Sequence, residues 1–246
     1  DFPIEITTFA DIPANCGLGS SSAFTVGLIH ALHALKGGLV SKYSLASEAA
    51  KIEVEILGRT MGKQDHFASA YGNLNVFTFN TDETVTVEPV FYRPETWKTL
   101  EENLILFYTG LKRDASQVLE SQNKATPAKH NILVQMRDLV APLREILSKG
   151  GDLRQVGEIL HHGWLMKKSI TDDISSSIID GYYECAREAG AIGGKLLGAG
   201  GGGFFLFYVE PKNQARVKAL LTNLFPLQVG LDAGGTRITY YDQTKL

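Results

Sequence analysis

The sequence predicts an α+β fold, on three observations. Apolar residues recur at helical spacing after Ser20 and again after Ser44. Residues 73–90 alternate in polarity about a polar turn, as a β-hairpin does. Beyond residue 103 the pattern runs strand, several helices, glycine-rich loop, strand, helix, strand; an antiparallel sheet covered by helices satisfies that order. The 246 residues suffice for two units. The Pro-containing stretch 91–99 reads as a connector and sets the boundary between 1–98 and 99–246.

Composition narrows the function classes. With 44% hydrophobic and 21% charged residues the chain is globular. A formal net charge of −3 gives no electrostatic ground for binding nucleic acid or an anionic membrane. No apolar run approaches membrane-spanning length. Two cysteines, Cys16 and Cys185, are too few for a disulfide framework or a zinc cluster, so a reducing cytoplasm is the expected compartment.

Taken in order, residues 4–9 read as a strand that Pro13 ends. Gly17 and Gly19 then bracket Leu18, and Ser20, Ser21 and Ser22 open a helix. On that helix Ala23, Val26, Gly27, His30, Ala31 and Ala34 share a face, and Phe24, Leu28, Leu32 and Leu35 widen it, which predicts a largely buried helix. A glycine turn opening a helix is an anion site, because the first-turn N–H groups have no intrahelical partner and the dipole favours negative charge. Neither the Walker nor the dinucleotide pattern fits: no Lys follows the glycines, and Ser22 stands where a third glycine belongs. A plain N-cap by Ser20 or Ser22 explains one serine but not the whole string.

Ser44 is the expected cap of a second helix over 45–57. Ala46, Ala49, Ala50, Val54 and Leu57 form its apolar face, with Leu45, Ile52 and Ile56 at the flanks. Glu53 falls inside that stripe, and a buried carboxylate must be paired, protonated or metal-bound. A salt bridge to a core Arg or Lys and a role as magnesium ligand are both open. The glycine-flanked turn 58–63 leads into a short helix over 64–71, with Asp65 placed either to cap it or to act chemically.

In the second half we expect a strand at 104–108 and helices at 115–124, 132–149, 153–168 and 178–189. A strand from 204, a helix at 213–224 and a strand at 236–242 complete it. Lys167, Lys168, Asp172 and Asp173 read as solvated helix ends. By letter, Gly198, Gly200 and Gly203 match a dinucleotide fingerprint, but a β run comes after them rather than a helix. This loop joins two strands and brings bare backbone close to something.

The string P-x-x-x-G-L-G-S-S from Pro13 through Ser21 resembles the nucleotide loop of the GHMP kinases. So do Ala49 and Glu53 followed by Gly62 and Asp65, although His66 stands where the family's sugar kinases usually have Gln. K-L-x-G-A-G-G-G-G from Lys195 resembles the third family motif, which in the family lies near the nucleotide loop. The resemblance implies a two-domain architecture, with a mixed α/β N-terminal domain and a ferredoxin-like C-terminal one. It implies ATP held by Pro13, Ala14, Asn15, Gly17, Leu18, Gly19, Ser20, Ser21 and Ser22, with Gly200, Gly201 and Gly202 near the transferred group. Mg2+ would be held by Ser21 and Glu53, and Asp65 would act as the catalytic base. Residues 62–65, 108–116 and 161–207 are most similar to the family's bacterial D-glycero-D-manno-heptose-7-phosphate kinases, which phosphorylate an anomeric hydroxyl.

The expected partner is therefore a small sugar or sugar phosphate, with a homodimer left open. Fucose- and galactose-type sugar 1-kinases compete, as does a non-catalytic ATP-binding module. Lys63, Lys112 and Arg113 are candidates for a substrate phosphate by charge alone, and ordinary surface residues otherwise. GHMP kinases carry a further segment ahead of the nucleotide loop. We therefore expect a fragment that lacks the first strands of its N-terminal domain.

Overall fold

The computed structural model describes residues 3–13, 16–111 and 115–242. The first half is helical: α1 (Ser20–Leu35), α2 (Lys42–Ala50), a π-helical turn (Lys51–Ile56) and α3 (Gln64–Tyr71). A hairpin of β1 (Asn75–Phe79) and β2 (Val85–Pro89) comes next, antiparallel with Phe77 opposite Val87. Val26, Ile29, Leu45, Ala49, Phe67 and Val85 form the core that joins α1, α2, α3 and the hairpin. Residues 4–9 pair with no strand among the described residues, and Ile4, Ile6 and Phe9 are exposed.

The strand expected at 4–9 is therefore absent, and two further expectations about this half need correction. α1 is not largely buried: only Ser22, Val26 and Ile29 are, while Ala23 and Ala31 face solvent, because the helix packs on one side alone. The second helix is capped by Ser41, whose side chain accepts from the Ser44 N–H, and its last turn is widened. The N–H of Leu57 donates to the Ile52 carbonyl, a π-type bond, and the extra residue turns Ile56 and Leu57 outward. Such turns recur at functional positions. Glu53 lies within this one.

The presumed connector is instead α4 (Pro94–Asn103), begun by Pro at its first turn, where the missing N–H costs nothing. It runs straight into β3 (Leu104–Tyr108). Next come α5 (Ala115–Ala125), α6 (His130–Asp138), α7 (Val140–Lys149), α8 (Arg154–Lys168) and α9 (Ser177–Glu188). Then β4 (Gly193–Leu196), β5 (Phe204–Tyr208), α10 (Pro211–Leu220) and β6 (Phe225–Gln228) complete the half. The single long helix expected at 132–149 breaks at Leu139.

The four strands form an antiparallel sheet in the order β4-β5-β3-β6. Pro226 fits β6 because an edge strand can forgo a ladder donor. Trp164, Ile179, Tyr183, Phe205 and Phe207 fill the space between this sheet and its helices. A third cluster, with Val90, Leu100, Leu147 and Tyr208 packed by Leu74 and Val76, ties the hairpin to the second half. The strand expected at 236–242 is irregular; its start lies on the first half, with the Thr236 N–H donating to the Ser69 carbonyl at 3.0 Å.

Candidate active site

The nucleotide-type loop and the second glycine loop meet backbone to backbone. A Cβ on Gly17 would stand 2.9 Å from the Leu197 oxygen, and one on Gly203 only 2.2 Å from the Cys16 oxygen. Both glycines also have positive φ, +80° and +95°, so the close approach and the chain path each demand glycine. Gly19 caps α1 in the left-handed conformation without any side-chain cap bond. The serines are therefore not caps. Among the described residues none of the N–H groups of Gly17, Leu18, Gly19, Ser20, Ser21 or Ser22 meets an acceptor. Ser22 is buried with its hydroxyl unpartnered. Pro13 precedes this loop on the surface, and Ala14 and Asn15 lie outside the described residues.

Ser21 reaches across to Glu53. Its hydroxyl donates to Oε1, and Arg59 Nη1 bridges both oxygens at 2.5 Å. Glu53 is 1% exposed, and its Oε2 takes a hydrogen bond from His66 Nε2 at 2.8 Å. Burial pushes the Glu53 carboxyl up. The hydrogen bonds from Ser21 and His66, with the charges of His66 and Arg59, more than reverse that, and the group lies below its ordinary value. An ionised carboxylate only accepts, so all three neighbours donate to it. Ser21 and Glu53 thus present two hard oxygens beside a row of free N–H groups, a donor set that fits magnesium. The Arg59 guanidinium supplies the positive charge at that point, half-exposed on a long side chain.

Asp65 sits in the first turn of α3, and its side chain is 3.4 Å from where a Cβ on Gly19 would lie. Burial raises its pKa; the charge of Glu53 adds to that, while His66, Lys167 and Lys195 oppose it. The loop, Ser21, Arg59 and Asp65 line one cavity of about 750 Å³, whose far wall is Lys167, Lys195, Gly198 and Ala199. Gly200, Gly201 and Gly202 lie against protein backbone on one side: the Gly201 N–H donates to the Ile174 carbonyl, and Gly202 abuts Leu111. Lys63 pairs with Glu83 at the hairpin turn, away from this cavity, and Lys112 and Arg113 lie outside the described residues.

Residues 2–73 match the family described as GHMP kinases N terminal domain, and residues 139–226 match GHMP kinases C terminal. The chain belongs to the GHMP kinases. It is 32% identical over 223 residues to a D-glycero-alpha-D-manno-heptose 7-phosphate kinase of Campylobacter jejuni, covering 88% of this chain and 64% of that one. It is 27% identical over 220 residues to a bifunctional fucokinase/GDP-fucose pyrophosphorylase of Arabidopsis thaliana, covering 87% of this chain and 20% of the relative. A crystal structure described as a D-glycero-D-manno-heptose 1-phosphate kinase, from Bacteriodes thetaiotaomicron, superposes with a TM-score of 0.67 at 27% identity. That match covers 95% of this chain and 67% of the other. The chain thus spans less than two thirds of the length of the curated relatives named here.

Four residues of this GHMP kinase site escape the sequence reading. Arg59 was legible in kind, since a core Arg was one partner open to Glu53. His66 stood out only as a departure from the usual Gln. Lys195 precedes the second glycine loop directly, a position that invited attention. Lys167 is the main correction: it is no solvated helix end but lies against that loop, its Nζ donating to the Gly198 carbonyl. Adjacent Lys168 pairs with Asp180 at 2.8 Å, so two neighbouring lysines of one helix serve different ends.

Proposed function

We propose that the chain carries the nucleotide and phosphoryl-transfer machinery of an ATP-dependent sugar kinase. Its acceptor is the anomeric hydroxyl of D-glycero-D-manno-heptose 7-phosphate, and its product the 1,7-bisphosphate. The observation that carries this reading is one cavity lined by the free N–H loop, Ser21 and Asp65, the last with a raised pKa, with Ser21 in turn bonded to the buried Glu53 behind it. The heptose assignment draws on the Campylobacter relative and on the Bacteriodes structure. Division into a unit of residues 1–98 and a unit of 99–246 is part of the same reading, as is a cytoplasmic setting.

The loop N–H groups bind the phosphate oxygens of the nucleotide. Ser21 and Glu53 would hold magnesium, which would supply charge neutralisation at the phosphates. Asp65 orients the acceptor hydroxyl and takes its proton as the hydroxyl oxygen bonds to the γ-phosphorus and the bond to ADP breaks. A carboxylate raised above its ordinary pKa is the better acceptor for that proton. Retention of both Glu53 and Asp65 disfavours a non-catalytic ATP-binding module.

Two measurements test this. A panel of heptose, fucose and galactose substrates with ATP and magnesium, scored for sugar 1-phosphate, should favour heptose 7-phosphate. Preference for fucose would support the reading that the Arabidopsis relative favours. Asp65→Asn should leave ATP binding in place and lower turnover by about 10²–10⁴-fold. Near-normal turnover in that variant removes Asp65 from the chemistry.

A further inference from the structure

The cavity wall holds more positive charge than the mechanism above uses. Its charged lining is Arg59, Lys167 and Lys195 against Asp65, and Arg59 is already paired with Glu53. Lys167 stands in the last turn of α8, with Nζ on the Gly198 carbonyl, where the second glycine loop touches Gly17. Lys195 is in β4, two residues before Leu197, whose carbonyl meets Gly17. Among the described residues neither lysine has an acidic side chain at ion-pair distance. Burial pushes the Lys167 amine down to about 8, helped by Lys195 and opposed by Asp65; burial likewise lowers Lys195. Two neighbouring, partly buried ammonium groups repel each other, and a polyanion beside them offsets that repulsion.

We propose that Lys167, together with Lys195, is a catalytic residue that holds the transferred phosphoryl group between the nucleotide loop and Asp65. Lys167 is fixed at the junction of the two glycine loops, beside the phosphate cradle. The fields of both lysines also reach the Asp65 carboxyl. A cation on the cavity wall that faces cradle and base can reach the phosphoryl oxygens during transfer, and fixed charge there stabilises the transition state. The lysines form no covalent bond: Nζ–H groups donate to the phosphoryl oxygens while the proton goes to Asp65. This assignment rests on the kinase reading above.

The experiment compares magnesium-ATP and magnesium-ADP binding by calorimetry, with turnover, in the full protein and in Lys167→Met, Lys167→Gln and Lys167→Arg. A lysine on the γ-phosphoryl makes ATP bind more tightly than ADP. Lys167→Met and Lys167→Gln should lose that margin, keep ADP affinity within about twofold, and lose about 10²-fold in kcat. Lys167→Arg should recover part of both. Unchanged discrimination and turnover in any two folded variants overturn the assignment. So does a rise in KM for the sugar substrate alone, which would put the lysine on the acceptor's phosphate. Wild type that binds neither nucleotide instead overturns the kinase reading, and the assignment falls with it.

Discussion

In residues 17–19 the glycine backbone leads into α1 and its N–H groups meet no acceptor among the described residues. In residues 197–203 the glycine backbone joins β4 to β5 and is anchored to the protein at intervals. The Leu197, Gly201 and Gly203 N–H groups donate to Phe204, Ile174 and Leu111, and Thr109 and Gln122 donate to the Gly203 and Ala199 carbonyls. The two strings look alike as letters but open onto different elements. A helix start leaves an unbroken row of donors without partners, whereas a connection between paired strands is pinned at several of its polar groups. The first loop is thus a cradle. The second is a latch that lies against the first and accepts a hydrogen bond from Lys167 at Gly198.

The strongest way to break this comparison is to add a Cβ to each loop. Gly203→Ala combines φ near +95° with a Cβ 2.2 Å from the Cys16 oxygen, and backbone is slow to give way. Strain and overpacking together should cost about 2–4 kcal/mol, read as a shift of the urea midpoint. Gly19→Ala has φ +67° but a Cβ at 3.4 Å from Asp65, an ordinary contact. It should cost about 1–2 kcal/mol for the left-handed backbone, with its larger effect on nucleotide affinity. Equal destabilisation by the two substitutions would end the distinction between cradle and latch.

A smaller effect sharpens the cradle side. Glu53→Gln keeps the shape but removes the charge that Ser21, Arg59 and His66 surround. If Glu53 is a magnesium ligand, half-maximal activity should require roughly 10–100-fold more magnesium with the fold retained. A lower melting temperature at unchanged magnesium dependence would mark Glu53 as a core salt bridge only.

Legibility in the sequence divides along the same line. The cradle is local: glycines, serines and a helix start lie within ten residues, so the string alone predicts free donors. Glu53 was legible because a carboxylate broke an apolar stripe, but the π turn that carries it leaves no mark in residue spacing. The latch loop was legible as a strand connection, though not its partners Ile174 and Leu111, which tertiary folding alone supplies. Lys167 was misread because a charge in a last helical turn is ordinarily solvated, and only the packing of α8 on β4 turns it inward. The strand expected at 236–242 errs in the opposite direction, since that stretch is irregular and the edge pairing goes to 225–228, where Pro226 supplies no N–H.

Gly27 offers the smallest effect and a control on both loops. It lies inside α1, and a Cβ there meets nothing within 4 Å. It serves neither as cradle nor as latch, so its flexibility is only a cost to the folded state. Gly27→Ala should stabilise the protein by about 0.5–1 kcal/mol, raising the urea midpoint at unchanged slope and leaving ATP affinity alone. Phe24 and Ala31 are exposed on the same helix, so α1 has room for the added methyl. Destabilisation instead would mean that this face of α1 is covered in the working protein. Weakened ATP binding without destabilisation would mean that the cradle depends on the helix interior, and the free donors of residues 17–22 would no longer account for the anion site by themselves.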